Sequence, residues 1–291
     1  GCMVQQEHIA QRMRKSFPQV DIIFGTHVMH TLPQMIYEKL SENRRTLSIP
    51  ESDGVIAEGL PVIRESKVKA SVPIMYGCNN FCTYCIVPFV RGRERSRRPE
   101  EVIAEVKGLI NDGYKEILLL GQNVNSYGLT PAGKRIEGGC SFAELLHKVA
   151  QSVPDMRVRF TTSNPEDMTD DILYAVAEEP NLCKHIHFPA QSGSTKILKL
   201  MNRKYTREQY LERVEAIRRI IPGCGLSTDL FVGYHDETPE DHAETLSLVR
   251  ECQFDSAFMF KYSERPGTYA AKHLPDNVSE EVKIERLNEL I

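Results

Sequence analysis

Two patterns of apolar positions alternate along residues 72–262. Short runs rich in Val, Ile, Leu or Phe, each bounded by turn residues, predict six β-strands at 72–76, 116–120, 158–162, 185–189, 226–232 and 257–262. Longer stretches with helical spacing separate these runs. Strands and helices that alternate in this way predict right-handed crossovers and a parallel sheet.

Helix-start signals support the predicted alternation. Ser141 with Glu144, and Thr206 with Gln209, have the spacing of capping boxes, in which two side chains satisfy each other's backbone amides. A further helix is predicted to begin in the same way at Thr238, with Asp241 three residues later. The chain therefore carries well-defined crossover helices between its predicted strands.

The predicted strand ends distinguish a barrel from a flat sheet. Glycine or small polar residues follow every predicted strand, as at 77–80, 121–123 and 191–194. A flat doubly wound sheet concentrates ligand contacts at one switch point, whereas a barrel gathers its carboxyl strand ends around one mouth. We therefore expect an α/β fold with an incomplete barrel of six βα units over residues 71–275.

The first 40 residues follow a different pattern. Predicted helices at 5–17 and 32–40 flank one predicted strand at 20–24, and one strand does not make a sheet. We interpret residues 1–40 as the C-terminal remnant of an α/β domain, 41–70 as a linker and 276–291 as a C-terminal helix. The absence of an initiating methionine indicates a fragment.

Composition narrows the class of protein. The 291 residues include 36 Lys and Arg against 40 Asp and Glu, a net charge of −4, so the protein is not a globally basic nucleic-acid coat. No apolar run reaches the roughly 20 residues of a membrane span, and no secretory signal is present, so we expect a cytoplasmic protein without membrane partners. In a reducing cytosol, clustered cysteines are more often metal ligands or catalysts than disulfides.

Three of the eight cysteines lie close together, at Cys78, Cys82 and Cys85. On a helix this spacing would make a buried thiol stripe, but Gly77 before the group and Pro88 after it favour a loop at a strand end. Three thiolates can hold three irons of a cubane cluster and leave the fourth open. Zinc is the alternative, although no fourth Cys or His lies nearby.

At these positions the chain resembles the radical S-adenosylmethionine (SAM) superfamily, whose hallmark is this spacing with an aromatic residue, here Tyr84, before the last cysteine. The resemblance implies a 4Fe-4S cluster on the three cysteines, with its open iron chelated by SAM and Tyr84 near the adenine. One electron from the cluster would cleave SAM to a 5′-deoxyadenosyl radical. An incomplete barrel is also the usual scaffold of this superfamily.

Longer motifs narrow the resemblance to one family. Segments 70–98, 191–206 and 262–268 are similar to the methylthiotransferases, and segments 120–127 and 159–163 to their MiaB branch. Members of that branch add a methylthio group to C2 of N6-isopentenyladenosine at position 37 of tRNA. The resemblance implies tRNA, through its anticodon stem-loop, and an electron donor such as flavodoxin or ferredoxin as partners of a monomer.

The same resemblance implies a second 4Fe-4S cluster in the full-length protein, with Cys2 as one of its three cysteine ligands. The other two ligands would precede residue 1, and an RNA-binding TRAM module would follow residue 291. We therefore expect this fragment to cleave SAM but not to complete methylthiolation.

Further contacts are proposed at the strand ends and beside the cysteines. Gly121, Gln122 and Asn123 match the place where the superfamily binds the SAM amino group. The candidate ribose or carboxylate partners are Ser163, Gln191 and Ser192, and Asp229 either faces the mouth or makes a structural hydrogen bond. Five guanidinium groups, those of Arg91, Arg93, Arg95, Arg97 and Arg98, form either a solvated loop or a site for RNA phosphates, which we favour.

Two departures and two rival functions remain open. Residues 233–238 lack the family's usual turn sequence, and Asn164 replaces a His common in the MiaB branch. A sister methylthiotransferase would act on threonylcarbamoyladenosine in tRNA or on an aspartate of a ribosomal protein. A non-catalytic iron–sulfur RNA-binding protein would form a cluster without cleaving SAM. The other four cysteines are scattered singly and are interpreted as ordinary thiols.

Overall fold

The computed structural model describes residues 1–50, 56–130 and 132–291. Within these ranges the strands are β1 (Ile22–Phe24), β2 (Thr46–Ser48), β3 (Lys69–Pro73), β4 (Met75–Tyr76), β5 (Arg95–Ser96), β6 (Glu116–Leu120), β7 (Arg157–Thr161), β8 (His185–His187), β9 (Gly225–Val232) and β10 (Ser256–Lys261). The helices are α1 (Glu7–Ser16), α2 (Leu32–Glu42), α3 (Val87–Arg91), α4 (Pro99–Asn111), α5 (Phe142–Ser152), α6 (Asp170–Glu178), α7 (Thr195–Leu200), α8 (Arg207–Ile220), α9 (Pro239–Cys252), α10 (Tyr269–His273) and α11 (Glu280–Leu290).

Six of these strands form the predicted incomplete barrel. Strands β3, β6 and β7 pair in parallel in that order, and β8, β9 and β10 make a second parallel sheet. Val158 of β7 forms a parallel bridge with Leu182, shortly before β8, and this bridge joins the two sheets edge to edge. The strands therefore follow one another in chain order, which brings their carboxyl ends to the same rim. The predicted fold class is confirmed.

The helices cover one face of this curved sheet. On β6, Ile117 and Leu119 are fully buried in the main core with Val106 of α4 and Leu145 of α5. The alternate β6 residues are only half-buried, because side chains alternate between the two faces of a strand. The helix starts at Ser141, Thr206 and Thr238 all form complete capping boxes, as the sequence predicted.

The N-terminal unit differs from the prediction. Strand β1 pairs in parallel with β2, with Ile23 opposite Leu47, so a small sheet exists and part of the predicted linker belongs to it. The sequence concealed β2 because three residues are too few to show a strand period. The linker over 41–70 therefore begins later than expected, and its residues 51–55 lie outside the described ranges.

This unit packs against the start of the barrel. The Thr26 hydroxyl donates to the Val90 carbonyl of α3 at 2.8 Å. At the other end, α11 confirms the helix expected within 276–291. Across the described residues, no helix combines the length and apolar character needed to cross a membrane.

Candidate active site

The predicted cysteines lie on one loop, residues 77–85, which follows β4 and is called the cysteine loop below. Cys78 and Cys82 are buried and Cys85 is half-buried, and all three are free thiols. Burial, aided by the nearby Glu94, Cys82 and Cys85 and opposed by a backbone hydrogen bond at Asn80, raises the pKa of Cys78 to about 12. Burial also raises the pKa of Cys85. The loop therefore presents three mutually close sulfurs whose thiolate forms need a positive partner.

Gly77 allows the loop to turn tightly at its start. Its φ is +79°, and a Cβ at this position would lie 2.1 Å from the Arg93 carbonyl oxygen. The amide of Cys78 donates to the Gly92 carbonyl at 3.2 Å, and the amide of Cys85 donates to the Cys82 carbonyl at 2.9 Å. Only glycine fits where these two backbone segments approach so closely.

Glu94 ties the first half of the loop to the opposite segment. Its carboxylate accepts from the Asn79 amide at 3.1 Å and from Asn79 Nδ2 at 3.3 Å. The Glu94 amide in turn donates to Asn79 Oδ1 at 3.3 Å. Burial raises the pKa of Glu94. This reciprocal pair fixes the residue that follows Cys78.

Residues 200–203, called the clasp, hold the second half of the loop. Asn202 Nδ2 donates to the Phe81 carbonyl at 3.0 Å and to that of Asn80 at 3.3 Å. The Thr83 amide donates to the Met201 carbonyl at 3.1 Å. Sequence reasoning missed these contacts, although the clasp lies inside segment 191–206, which was noted for its family resemblance.

Arg203 of the clasp reaches a sulfur directly. Its Nη1 donates to Cys82 Sγ at 3.4 Å, while the Val87 amide donates to Cys85 Sγ at 3.5 Å. Hydrogen bonds to cysteine sulfurs are a recurrent feature of iron–sulfur sites, because they stabilise the thiolate and tune the metal.

Within the cysteine loop, Tyr84 is the residue that faces the barrel mouth. Its hydroxyl donates to Gln191 Oε1 at 3.1 Å, and its ring packs edge-on against Phe231 with centroids 4.9 Å apart. Burial raises the pKa of Tyr84 well above its ordinary value. The hydroxyl is therefore a neutral donor that fixes Gln191 at the rim.

Asp229 faces the mouth, which decides between the two alternatives left by the sequence. Together with Tyr84 and Gln191 it lines a cavity of about 500 Å³. Its side chain is 32% exposed, and Oδ2 lies 3.4 Å from His187 Nε2. The carboxylate is thus oriented from within β9 and remains accessible to a ligand.

Three polar atoms at the ends of β6 and β7 have no hydrogen-bond partner among the residues that the structure describes. They are Gln122 Oε1, Asn123 Oδ1 and Ser163 Oγ, and all three are buried. Asn123 is held in place through its other amide atom, Nδ2, which donates to Asp167 Oδ2 at 2.6 Å. Buried polar atoms in folded proteins nearly always have partners, so this group indicates a ligand that donates hydrogen bonds.

Two other predicted contacts have a structural explanation. At Gly121 a Cβ would lie 2.6 Å from Met75 Cγ, so glycine is required for packing. The Ser192 hydroxyl lies 3.4 Å from Thr245 Oγ1 and accepts from the Ser194 amide at 3.2 Å. Its oxygen is therefore already engaged within the protein, and we remove Ser192 from the candidate SAM contacts.

The five arginines between residues 91 and 98 differ in solvent exposure. Arg97 is buried and forms ion pairs with Glu58 at 2.5 Å and Glu105 at 2.7 Å, so its proposed RNA contact is wrong. Arg93 and Arg98 are exposed, and the Arg93 guanidinium lies over the Phe81 ring at 4.3 Å. Half-buried members complete the run at Arg91 and Arg95.

Cys2 lies in the N-terminal unit and is half-buried. That unit contacts α3, which begins two residues after Cys85, through the bond from Thr26 to Val90. In the part of the chain that the structure describes, no three Cys, His or carboxylate side chains converge as ligands of a single metal ion.

Comparison with protein families matches residues 72–249 to the radical SAM superfamily, and these residues make up more than half of the chain. The chain belongs to this superfamily. The matched region contains the cysteine loop, the unsatisfied atoms at the strand ends and the clasp.

This radical SAM chain is similar along its whole length to curated bacterial proteins. It is 57% identical over 296 residues to the tRNA-2-methylthio-N(6)-dimethylallyladenosine synthase of Phocaeicola vulgatus, covering 100% of this chain and 62% of that protein. The enzyme of the same name from Clostridium botulinum strain Hall is 54% identical over 291 residues, with 100% and 63% covered. The chain thus spans less than two thirds of the length of these relatives.

A solved structure also shares the fold. The radical S-adenosylmethionine methyltransferase TsrM from Kitasatospora setae superimposes with a TM-score of 0.58 at 16% identity, covering 76% of this chain and 42% of that one. At this identity the likeness concerns the fold alone.

Proposed function

We propose that this chain is the radical SAM part of a methylthiotransferase that adds a methylthio group to C2 of N6-isopentenyladenosine at position 37 of tRNA. The observation that carries the proposal is the placement of three thiols beside three unsatisfied polar atoms at neighbouring strand ends. Identity of 57% to a synthase named for this type of product supports the choice of reaction.

Cys78, Cys82 and Cys85 would hold a 4Fe-4S cluster. The donor set fits, because it offers three free thiols, and N–H donors of Arg203 and Val87 are placed to stabilise two of them as thiolates. When bound, the cluster and SAM would supply the one-electron chemistry that generates the 5′-deoxyadenosyl radical.

SAM would bind at the adjacent strand ends. Its amino group can donate to the unsatisfied oxygens of Gln122, Asn123 or Ser163. Gln191 and Asp229 offer acceptors at the rim for the ribose hydroxyls, and Tyr84 supplies an aromatic edge near the adenine. The nucleoside to be modified would enter the same 500 Å³ cavity, next to these SAM contacts.

The tRNA would approach across the outward arginines. Arg93 and Arg98, with the half-buried Arg91 and Arg95, lie on the segment that packs against the cysteine loop. Their guanidinium groups suit phosphates of the anticodon stem-loop and carry no sequence information of their own. A cytoplasmic one-electron donor protein, such as flavodoxin or ferredoxin, would reduce the cluster, and Cys2 would be one ligand of a second cluster.

The first experiment is anaerobic reconstitution with iron and sulfide, followed by reduction with dithionite in the presence of SAM. We expect 5′-deoxyadenosine, measured by mass spectrometry, and its loss in Cys82→Ala. Cys183→Ala is the matched control, since Cys183 is a half-buried thiol outside the loop. Formation of 5′-deoxyadenosine that survives Cys82→Ala would contradict the cluster assignment.

A second experiment tests the substrate. Because this fragment is not expected to complete methylthiolation, the experiment compares the affinity of the reconstituted protein for tRNA that carries isopentenyladenosine and for tRNA that carries threonylcarbamoyladenosine. We expect tighter binding of the first, and tighter binding of the second would transfer the proposal to the sister branch. A cluster without SAM cleavage would favour a non-catalytic RNA-binding protein.

A further inference from the structure

Arg203 is a half-buried cation in direct contact with the cysteine loop. Its guanidinium has three partners, each reached by a different nitrogen. Nη1 donates to Cys82 Sγ at 3.4 Å, Nη2 to Asn164 Oδ1 at 3.0 Å, and Nε to the Tyr205 hydroxyl at 3.0 Å. The guanidinium also lies 5.1 Å from the centroid of the Tyr205 ring. Three bonds in one plane fix its orientation, which a lysine could not reproduce.

The positive charge of Arg203 has no carboxylate partner among the ion pairs of the described residues. A guanidinium group is always protonated in proteins, so Arg203 carries a full positive charge. The Cys82 sulfur, which accepts from Nη1, can balance this charge when it is a thiolate.

Asn164, which accepts from Nη2 of Arg203, links the contact between Arg203 and Cys82 to the strand ends. Asn164 directly follows Ser163, whose hydroxyl is unsatisfied, and Asn164 Nδ2 donates to Asp167 Oδ2 at 3.0 Å. The same carboxylate oxygen accepts from Asn123 Nδ2 at 2.6 Å. One chain of hydrogen bonds thus runs from the Cys82 sulfur to the atoms proposed to bind SAM.

We infer that Arg203 raises the reduction potential of the cluster by placing a fixed positive charge against the Cys82 thiolate. This inference rests on the proposed function, since it needs the cluster to be held by that sulfur. Reduction adds one negative charge to the cluster, and a cation held close to it stabilises the reduced form more than the oxidised form. Arg203 is thus a positioning and tuning residue that acts through Cys82.

The test measures the midpoint potential of the reconstituted protein by redox titration followed by electron paramagnetic resonance. In Arg203→Gln we expect the ratio of reduced to oxidised cluster at a fixed potential to fall about tenfold, which equals about 59 mV for a one-electron couple. Arg203→Lys keeps the charge but loses the planar geometry, so its potential should lie between those of the other two proteins.

Arg213→Gln is the matched control. Arg213 comes from the neighbouring helix α8 and donates to the Met168 carbonyl and to Asp170 Oδ1, not to a sulfur. Its removal should leave the potential unchanged. A potential that is the same in Arg203→Gln as in the unsubstituted protein would overturn the inference, and so would an equal shift in Arg213→Gln.

A second measurement needs no variant and decides the matter if Arg203→Gln does not fold. The protein is produced with arginine carrying ¹⁵N in the guanidinium group, and the reduced cluster is examined by pulsed electron paramagnetic resonance. We expect a ¹⁵N hyperfine coupling from the Nη1–H···Sγ contact, and its absence would overturn the inference. If the unsubstituted protein forms no cluster, the proposed function fails as well, whereas SAM cleavage with an unaltered potential refutes only the role of Arg203.

Discussion

The cysteine loop and the neighbouring strand ends are both at least half-buried, yet their polar groups differ in whether they have hydrogen-bond partners. In the loop, Asn79, Asn80 and Phe81 are all bonded to Glu94 or to Asn202. At the strand ends, Gln122 Oε1, Asn123 Oδ1 and Ser163 Oγ have no partner. Groups that must hold a fixed geometry are satisfied by the protein, whereas groups intended for a ligand are left open at a cost in stability.

The largest expected loss of stability comes from a substitution in the hydrogen-bonded cysteine loop, at Gly77. Gly77→Ala adds a Cβ 2.1 Å from the Arg93 carbonyl oxygen at a φ of +79°. We expect a loss of about 2–5 kcal/mol in unfolding free energy from strain and overpacking, and failure to retain iron. Urea unfolding and iron content after reconstitution measure both effects.

Gly108→Ala is the control for this substitution. Gly108 lies within α4, and nothing approaches within 4 Å of a Cβ there. Alanine at that position should stabilise the helix by up to about 1 kcal/mol. If Gly77→Ala behaved like Gly108→Ala, the close backbone approach would not be what shapes the loop.

Arg97→Met is expected to cause the next largest loss of stability, because Arg97 also has its partners within the protein. It leaves the carboxylates of Glu58 and Glu105 without their cation and removes a bond of 2.8 Å to the Pro73 carbonyl. Because both carboxylates are about a quarter exposed, we expect a loss of about 2–3 kcal/mol, at the lower end for a broken buried pair. Chemical unfolding monitored by circular dichroism measures it.

The adjacent Arg98 serves as the comparison for Arg97. Arg98 is exposed, so Arg98→Met should change stability by no more than about 0.5 kcal/mol. It should instead weaken tRNA binding and reduce its salt dependence. Equal destabilisation by the two substitutions would contradict the division of the arginine run.

Asp241, whose carboxylate is fully hydrogen-bonded within the protein, makes the unfolding free energy depend on pH. Burial raises the pKa of this carboxyl, but bonds from Lys196, Ser194 and Thr238 outweigh it and lower the pKa to about 2. A lowered pKa in the folded state contributes stability above the ordinary value of 3.8 that is lost as the pH falls toward 2. We expect about 1–3 kcal/mol to be lost over that range.

Asp241→Asn should remove most of this pH dependence, because asparagine does not titrate. The unfolding free energy is measured in urea at several pH values between 2 and 5. Asp155→Asn is the control at an exposed carboxyl and should keep the slope of the unsubstituted protein. A variant Asp241→Asn with an unchanged slope would show that another group carries the pH dependence.

The smallest effect on stability is expected at the strand ends, where the polar atoms have no partner. Ser163→Ala removes a buried hydroxyl that has no partner, so the ligand-free protein should be unchanged or gain up to about 1 kcal/mol. SAM binding, measured by anaerobic calorimetry, should weaken about fivefold because one hydrogen bond of about 1 kcal/mol is lost.

Ser192→Ala is expected to have the opposite effects on stability and on SAM affinity from Ser163→Ala. Its hydroxyl accepts from the Ser194 amide, so its removal should cost about 1 kcal/mol of stability while SAM affinity changes little. If Ser163→Ala lost stability and kept its affinity for SAM, the unsatisfied atoms would not mark the ligand site.

The sequence by itself determined the features that depend on local pattern. Strand and helix periods predicted the six-stranded incomplete barrel, and the side-chain spacing at Ser141, Thr206 and Thr238 predicted the capping boxes. The spacing of Cys78, Cys82 and Cys85 indicated the superfamily, which the match over residues 72–249 confirmed. Their role as cluster ligands stays a prediction.

Only the tertiary structure decided the features that depend on contacts between distant segments. Arg97 meets Glu58 across 39 residues, and Arg203 meets Cys82 across 121 residues. Strand β2 becomes visible only through its pairing with β1. A local pattern reflects the period of a helix or strand, whereas the partner of a buried charge or an unpaired oxygen is fixed by how the whole chain packs.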